Sequence, residues 1–282
     1  MKKKTSTIIL IIVFLAGLGL MLYPTVSNLV NKAHQSVAIN SYQKQVAKMS
    51  QEEFHNILAS ARAYNKTITS NEFPRNSDDL EGNAEYLASI DPSGNGMIGY
   101  LKIDSINLRM PIYHTTKESI LQIGAGHIPT TSLPVGGEST HAVITGHRGL
   151  PRAKLFTDLD KVKIGDVFYI YVLDDILAYK VDSIKTVLPE NTEDLQIVQG
   201  KDYVSLVTCT PYGINTHRLI IRGERIPYDA SAAQEYENTQ RTENTISPAQ
   251  IALIAATAAV IIAFIILLII IIKKKKRKEE EE

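Results

Sequence analysis

Apolar positions follow three different rhythms along this chain. Residues 7–23 and 251–272 are apolar without any period. No charge stands between Lys4 and Lys32, and Thr257 is the one polar residue in the second run. As helices the two runs would cover about 26 and 33 Å, a slightly short span and a full bilayer core. A second rhythm, of three to four residues, begins after the first run. Ile39, Tyr42, Val46 and Met49 mark an apolar helical stripe between Lys, Gln and Asn. Ser50 and Glu53 fit a capping box that opens a further helix through Ala63, so residues 26–66 read as a helical stalk.

The third rhythm is that of strands. Residues 97–103, 108–114, 141–145, 167–172, 178–187, 203–209 and 219–225 are short and rich in β-branched and aromatic residues. Gly, Asp, Pro and Asn separate them. Seven or more such strands with no long helix between them predict a mainly β domain, a barrel or sandwich of about 130 residues. Residues 67–96 read as loop, ending in the turn formers Asp91-Pro92-Ser93-Gly94-Asn95-Gly96. Residues 229–250 read as a polar spacer. There is no internal repeat.

Charge sharpens the reading of the two apolar runs. The 282 residues carry 30 Lys+Arg and 30 Asp+Glu, so no global excess points to nucleic acid. The balance hides an asymmetry: Lys2–Lys4 precede the first run, and KKKKRK at 273–278 follows the second. Between residues 5 and 272 the chain holds 21 basic and 26 acidic side chains. Basic residues flanking apolar runs predict a tail at 1–6, a signal anchor at 7–23, an extracytoplasmic stretch at 24–250, a second span at 251–272 and a cytoplasmic tail at 273–282. Both termini are then cytoplasmic. A retained anchor is preferred to a cleaved signal peptide, because no A-x-A site follows residue 23. Two spans are too few for a transporter.

The candidate chemistry is compact. The single cysteine, Cys209, excludes an internal disulfide and any cysteine-based metal cage. It ends the strand 203–209, and after a turn the chain returns through His217 and Arg218. An antiparallel return brings Arg218 close to Cys209, where a guanidinium favours the thiolate and can hold an oxyanion. A free cysteine is more often a small buried hydrophobe. Against that stand the strand-end position and an extracytoplasmic address, where idle thiols oxidise. His147 follows the strand 141–145 within Thr145-Gly146-His147-Arg148-Gly149, a position suited to acting rather than to filling a core. His141 and His147 match no zinc spacing, and His217 would face away from Arg218, so no metal site is read.

Thr208-Cys209 with the following Arg218 resembles the TLxTC signature of sortases, with Ser205 in its opening Thr position. Thr145-Gly146-His147-Arg148 resembles their TGHR motif. The stretches LPRAKLFTDLD (150–160) and IRGERIPY (221–228) look most like class C, the pilin-polymerising sortases. The resemblance covers residues 96–228 and implies a closed β-barrel of about eight strands with N-terminal helices, behind a helical stalk and loop region (24–95) and flanked by the two spans. It implies Cys209 as nucleophile, His147 as general acid and base, and Arg218 as stabiliser of substrate or oxyanion, without cofactor or metal. It implies pilin subunits with LPxTG-type sorting signals as partners, with a pilin Lys as acceptor. An alternative within the family joins surface proteins to peptidoglycan. A non-enzymatic scaffold would leave the three residues without a joint explanation, and a sorting substrate would need an LPxTG that residues 226–250 lack. One departure stands out: the Asp-Pro-aromatic lid motif usual in class C is absent between residues 64 and 90. An open or loosely shielded Cys209, with Phe73 as the one large aromatic of the segment, is the corresponding expectation.

Overall fold

A computed structural model describes residues 2–68, 84–231 and 270. The stretches 69–83, 232–250 and nearly all of 251–272 lie outside the described residues, and with them the expected lid segment, spacer and second span.

The apolar N-terminal run and the first half of the stalk form one helix, α1 (Lys2–Val46), which passes through Pro24. The boundary drawn at residue 23 is therefore not a break in the helix. The residues after Pro24 are fastened laterally, which offsets the missing ladder bond. Asn28 Oδ1 accepts from the Lys154 N–H at 3.0 Å, and Asn31 donates to the Gln122 carbonyl at 3.3 Å. Gln35 donates to the Ile123 carbonyl at 3.0 Å. Higher up, the buried Tyr42 hydroxyl donates to the Ile98 carbonyl at 2.8 Å and accepts the Leu173 N–H at 2.7 Å. α2 (Gln51–Thr67) opens on the expected capping box: Glu53 N–H donates to Ser50 Oγ at 3.2 Å, and the Glu53 carboxylate accepts from Ser50 N–H at 2.7 Å. Its buried Asn65 pairs with both backbone groups of Leu133, at 3.0 and 2.7 Å. The short α3 (Ala84–Ala88) buries Tyr86.

Eight strands follow: β1 (Met97–Ile103), β2 (Leu108–His114), β3 (Ala125–His127), β4 (Thr140–Thr145), β5 (Val167–Val172), β6 (Asp175–Val187), β7 (Asp202–Thr210) and β8 (His217–Ile226). They close a barrel in the order β1-β2-β3-β4-β7-β8-β6-β5. β2–β3 and β4–β7 are parallel, and the other neighbours antiparallel. Closure removes free sheet edges. Ile98, Leu101, Ile103, Met110, Ile112, Phe168, Ile170, Tyr179, Leu206 and Ile221 are among the buried core. β1 is buried on both faces because α1 lies over it, which is why its sequence does not alternate.

Three histidines belong to this framework. A carbonyl can only accept, so His127 Nε2 carries the proton given to the Ser132 carbonyl at 2.8 Å, and Nδ1 accepts from Tyr86 at 3.0 Å. His141 Nδ1 donates to the Gln196 carbonyl and Nε2 accepts from Ser205 Oγ, each at 2.8 Å. His114 lies under Tyr86, ring edge to face. Burial pushes all three below the ordinary histidine value, His127 to about 3 and His141 to about 4. The unfolded chain therefore binds more protons than the folded one once the pH falls below 6.5. This contribution is complete above that value and is lost as the pH falls toward 4, at roughly 1.4 kcal/mol per pH unit for each of His127 and His141. Asp202, pushed upward by burial, works in the opposite direction at the lower edge of that window. Urea midpoints of the detergent-solubilised protein should thus fall steadily between pH 6.5 and 4.5, and His141→Gln should flatten the slope by about one histidine's share. A midpoint independent of pH would show these rings are already charged.

Candidate active site

The site grows from the pairing of β4 with β7. Their parallel register runs from Thr140↔Asp202 to Thr145↔Val207; counted on by two positions, it brings His147 level with Cys209. The loop after β4 is stitched to β7 on both sides of the cysteine. Gly146 N–H donates to the Val207 carbonyl at 3.2 Å, and Thr208 Oγ1 donates to the Gly146 carbonyl at 2.7 Å. Arg148 Nη1 donates to Thr210 Oγ1 at 2.9 Å, and its Nη2 to Asp160 at 2.6 Å. Gly146 is required by close approach, since a Cβ there would stand 2.8 Å from the Phe156 ring. The Phe156 N–H in turn donates to the His147 carbonyl at 3.1 Å.

β8 delivers the third group. Cys209 pairs with Arg218 directly across the β7–β8 ladder, and Arg218 pairs with Val187 of β6 on its other side. Opposite partners in a ladder point to the same face. Arg218 Nη1 rests on the carbonyls of Asn215 and His217, at 3.3 and 3.1 Å, inside its own turn. Cys209, His147 and Arg218 are each partly exposed, and the thiol is free. So the structure brings all three candidates to one end of the barrel. His217 takes no part and bonds Thr216 at 2.9 Å. Ser205, at the position of the motif's opening Thr, is buried on His141 instead.

The sequence reading missed one member. Glu118 opens the short helix α4 (Glu118–Leu121), and its Oε2 lies 3.0 Å from His147 Nε2. Its other oxygen accepts from the Gln122 amide at 2.8 Å. The Gln122 bond, and after it His147, hold this carboxyl below its usual range. It therefore stays ionised beside the imidazole at neutral pH. No spacing rule could have found it, because the link spans 29 positions and passes through β3.

A family model described as Sortase domain matches residues 101–226. The chain is similar to Sortase A of Bacillus anthracis, 28% identical over 130 residues, 46% of this chain and 60% of that protein. The match therefore leaves two fifths of that relative uncovered. Solved structures are closer. Sortase C1 from Streptococcus agalactiae is 45% identical, with a TM-score of 0.65 over 68% of this chain and 99% of that one. Sortase C of Streptococcus pneumoniae is 46% identical, with a TM-score of 0.63 over 68% of this chain and 98% of that one.

The Glu118–His147 pair is exposed on its carboxylate side, so its worth is small, about 0.2–1 kcal/mol. Glu118→Gln should accordingly lower kcat/KM for a sorting-signal peptide by no more than about fivefold, whereas His147→Ala should cost about 10²-fold or more. Equal losses in the two variants would mean that the carboxylate does more than orient the ring.

Proposed function

Because this chain belongs to the sortase family, we propose that it is a membrane-anchored cysteine transpeptidase that polymerises pilin subunits. The carrying observation is the placement of Cys209 opposite Arg218, with the loop that holds His147 bonded to β7 on both sides of the cysteine. In this reading the Cys209 thiolate attacks the Thr–Gly carbonyl of an LPxTG-type signal. Negative charge moves to the carbonyl oxygen, where the Arg218 guanidinium meets it. The C–N bond then breaks, and the departing amine takes a proton from imidazolium His147. A thioester joins Cys209 to the Thr carbonyl carbon. The amine of a pilin Lys attacks this thioester and gives its proton to the now neutral His147. An isopeptide bond forms, Cys209 leaves as thiolate, and the starting protonation state returns. Glu118 Oε2, 3.0 Å from Nε2, orients the ring.

The choice of pilin as acceptor rests on likeness. Identities of 45–46% over nearly the full length of class C structures stand against 28% to a Sortase A. The pneumococcal Sortase C is described in terms of its pilin substrate specificity. For topology, basic residues beside both apolar runs support an outward-facing domain with both termini in the cytoplasm. A tag placed after Glu282 should then survive protease added to intact protoplasts, and its digestion would overturn that arrangement.

The reconstituted full chain, given a pilin with an LPxTG-type signal, should produce a ladder that resists boiling in SDS. Cys209→Ala should abolish the ladder and the thioester alike while leaving the fold intact. Arg218→Lys should lose about 10²-fold, close to Arg218→Ala, because a point charge does not replace a planar fork. A product joined to a peptidoglycan stem peptide with no ladder would assign the chain to surface-protein attachment instead.

A further inference from the structure

We propose that the catalytic end of the barrel lies on the membrane surface and is held there by anionic lipid. The inference rests on α1 being the membrane anchor and concerns how the domain sits over it.

α1 supplies a ruler. It leaves the apolar run at Tyr23, and its lateral bonds then climb the domain in order. Asn28 meets Lys154, Asn31 meets Gln122, Gln35 meets Ile123, and Tyr42 meets Ile98 and Leu173. At 1.5 Å per residue these stand about 7, 12, 18 and 28 Å above Tyr23. The two lowest belong to the segments that carry the site. Lys154 lies in the loop that begins at His147, and Gln122 bonds Glu118. The highest, Leu173, sits in the β5–β6 turn next to Asp175, where β6 begins. β7 agrees: it starts at Asp202 beside Thr140 and ends at Cys209 and Thr210. Its run from 202 to 209 covers about 23 Å, close to the 21 Å that α1 climbs from Asn28 to Tyr42. The cysteine end of the barrel is thus the membrane end. The headgroup layer is itself some 5–7 Å deep, so the loops at this end reach it.

The surface of that end suits lipid. Among the described residues between 97 and 228, seven large hydrophobics are exposed; Leu188 follows the end of β6 opposite Arg218, Tyr212 and Ile214, at 58% and 67% exposure, stand in the β7–β8 loop, and Ile164 comes just after the loop that begins at His147. On α1 itself Val26, Leu29 and Val30 continue the apolar surface past Tyr23. Charge agrees as well. Residues 148–163 hold five basic and two acidic side chains, in a chain whose middle is otherwise acidic. Arg152, Lys154, Lys161 and Lys163 of this loop are exposed. Exposed apolar groups interspersed with Lys and Arg are what an anionic bilayer surface recognises.

The chain has no tryptophan, so single-Trp variants of the full protein report depth cleanly in nanodiscs carrying brominated lipid. Leu15→Trp probes the anchor, Ile214→Trp and Ile164→Trp the proposed contact, and Val198→Trp the far end, where Val198 bonds Lys201 beside the start of β7. Bromine quenches at short range, so Ile214→Trp and Ile164→Trp should be quenched at least about threefold more than Val198→Trp in anionic discs. Quenching at Ile164→Trp should fall when the discs are made zwitterionic or the salt is raised to 1 M. If Leu15→Trp is quenched and Ile214→Trp matches Val198→Trp, the anchor stands and the surface contact is overturned. If Leu15→Trp is itself unquenched, the anchor reading fails and the contact with it. Equal quenching of Ile164→Trp in anionic and zwitterionic discs overturns the role of anionic lipid.

Discussion

The parallel pairing of β4 with β7 is the constraint on which the site depends. Parallel strands run in the same direction, so both ladders end at the same rim of the barrel, and there the chain places His147 and Cys209. An antiparallel pairing would have sent them to opposite rims, some 20 Å apart over these strand lengths. The pairing is fixed at its far end by Thr140 opposite Asp202 and at its near end by the bonds of Gly146, Thr208, Arg148 and Thr210. A buried bond between His141 and Ser205 crosses the same two strands midway. The motif residues around the catalytic candidates are therefore mostly structural. Thr208 and Arg148 hold the loop, Gly146 lets it approach Phe156, and His147 and Cys209 are left partly exposed.

Much of this was legible in the sequence, for definite reasons. Seven strands could be read because each is long enough to show β-branched and aromatic enrichment between turn formers. β3 escaped because Ala125–His127 is three residues long and one of them is glycine. β6 begins three residues earlier than read because Asp174 and Asp175 look like turn residues, yet Asp175 pairs with Val172. β7 gains Asp202 and Thr210 at its ends, and β8 gains His217, Arg218 and Ile226. The three candidate residues were visible because two lie in short motifs and the third follows from antiparallel return. Glu118 was not, because its partner is chosen by the barrel's closure through β3 and not by local spacing.

The seven histidines show how environment, and not residue type, assigns a role. His114, His127 and His141 are buried and bonded on framework partners, and burial holds them neutral. Their ring nitrogens are taken up by carbonyls and hydroxyls, so they have no capacity left for chemistry. His147 alone is paired with a carboxylate and left half open. The proton transfers proposed for His147 need a ring held in one orientation and open to solvent, and this position offers both.

Geometry contributes more at this site than charge does. The Glu118–His147 pair is exposed, and Arg218 rests on carbonyls of its own turn, so neither supplies the strong field of a buried ion pair. What the fold does supply is fixed placement: two strand ends and a stitched loop hold thiol, imidazole and guanidinium at one rim. Orientation of this kind can be worth about 7–11 kcal/mol of barrier, far above the 0.2–1 kcal/mol of an exposed pair. Substitutions that loosen the rim, such as Thr208→Val, should therefore cost more activity than removal of the Glu118 charge. The Thr208 hydroxyl is buried and bonds the Gly146 carbonyl at 2.7 Å, so its loss strands that acceptor at about 1–3 kcal/mol. If that penalty is felt at His147, kcat falls by roughly five- to a hundredfold while KM holds. A change confined to thermal stability would show that the loop keeps its position without the bond.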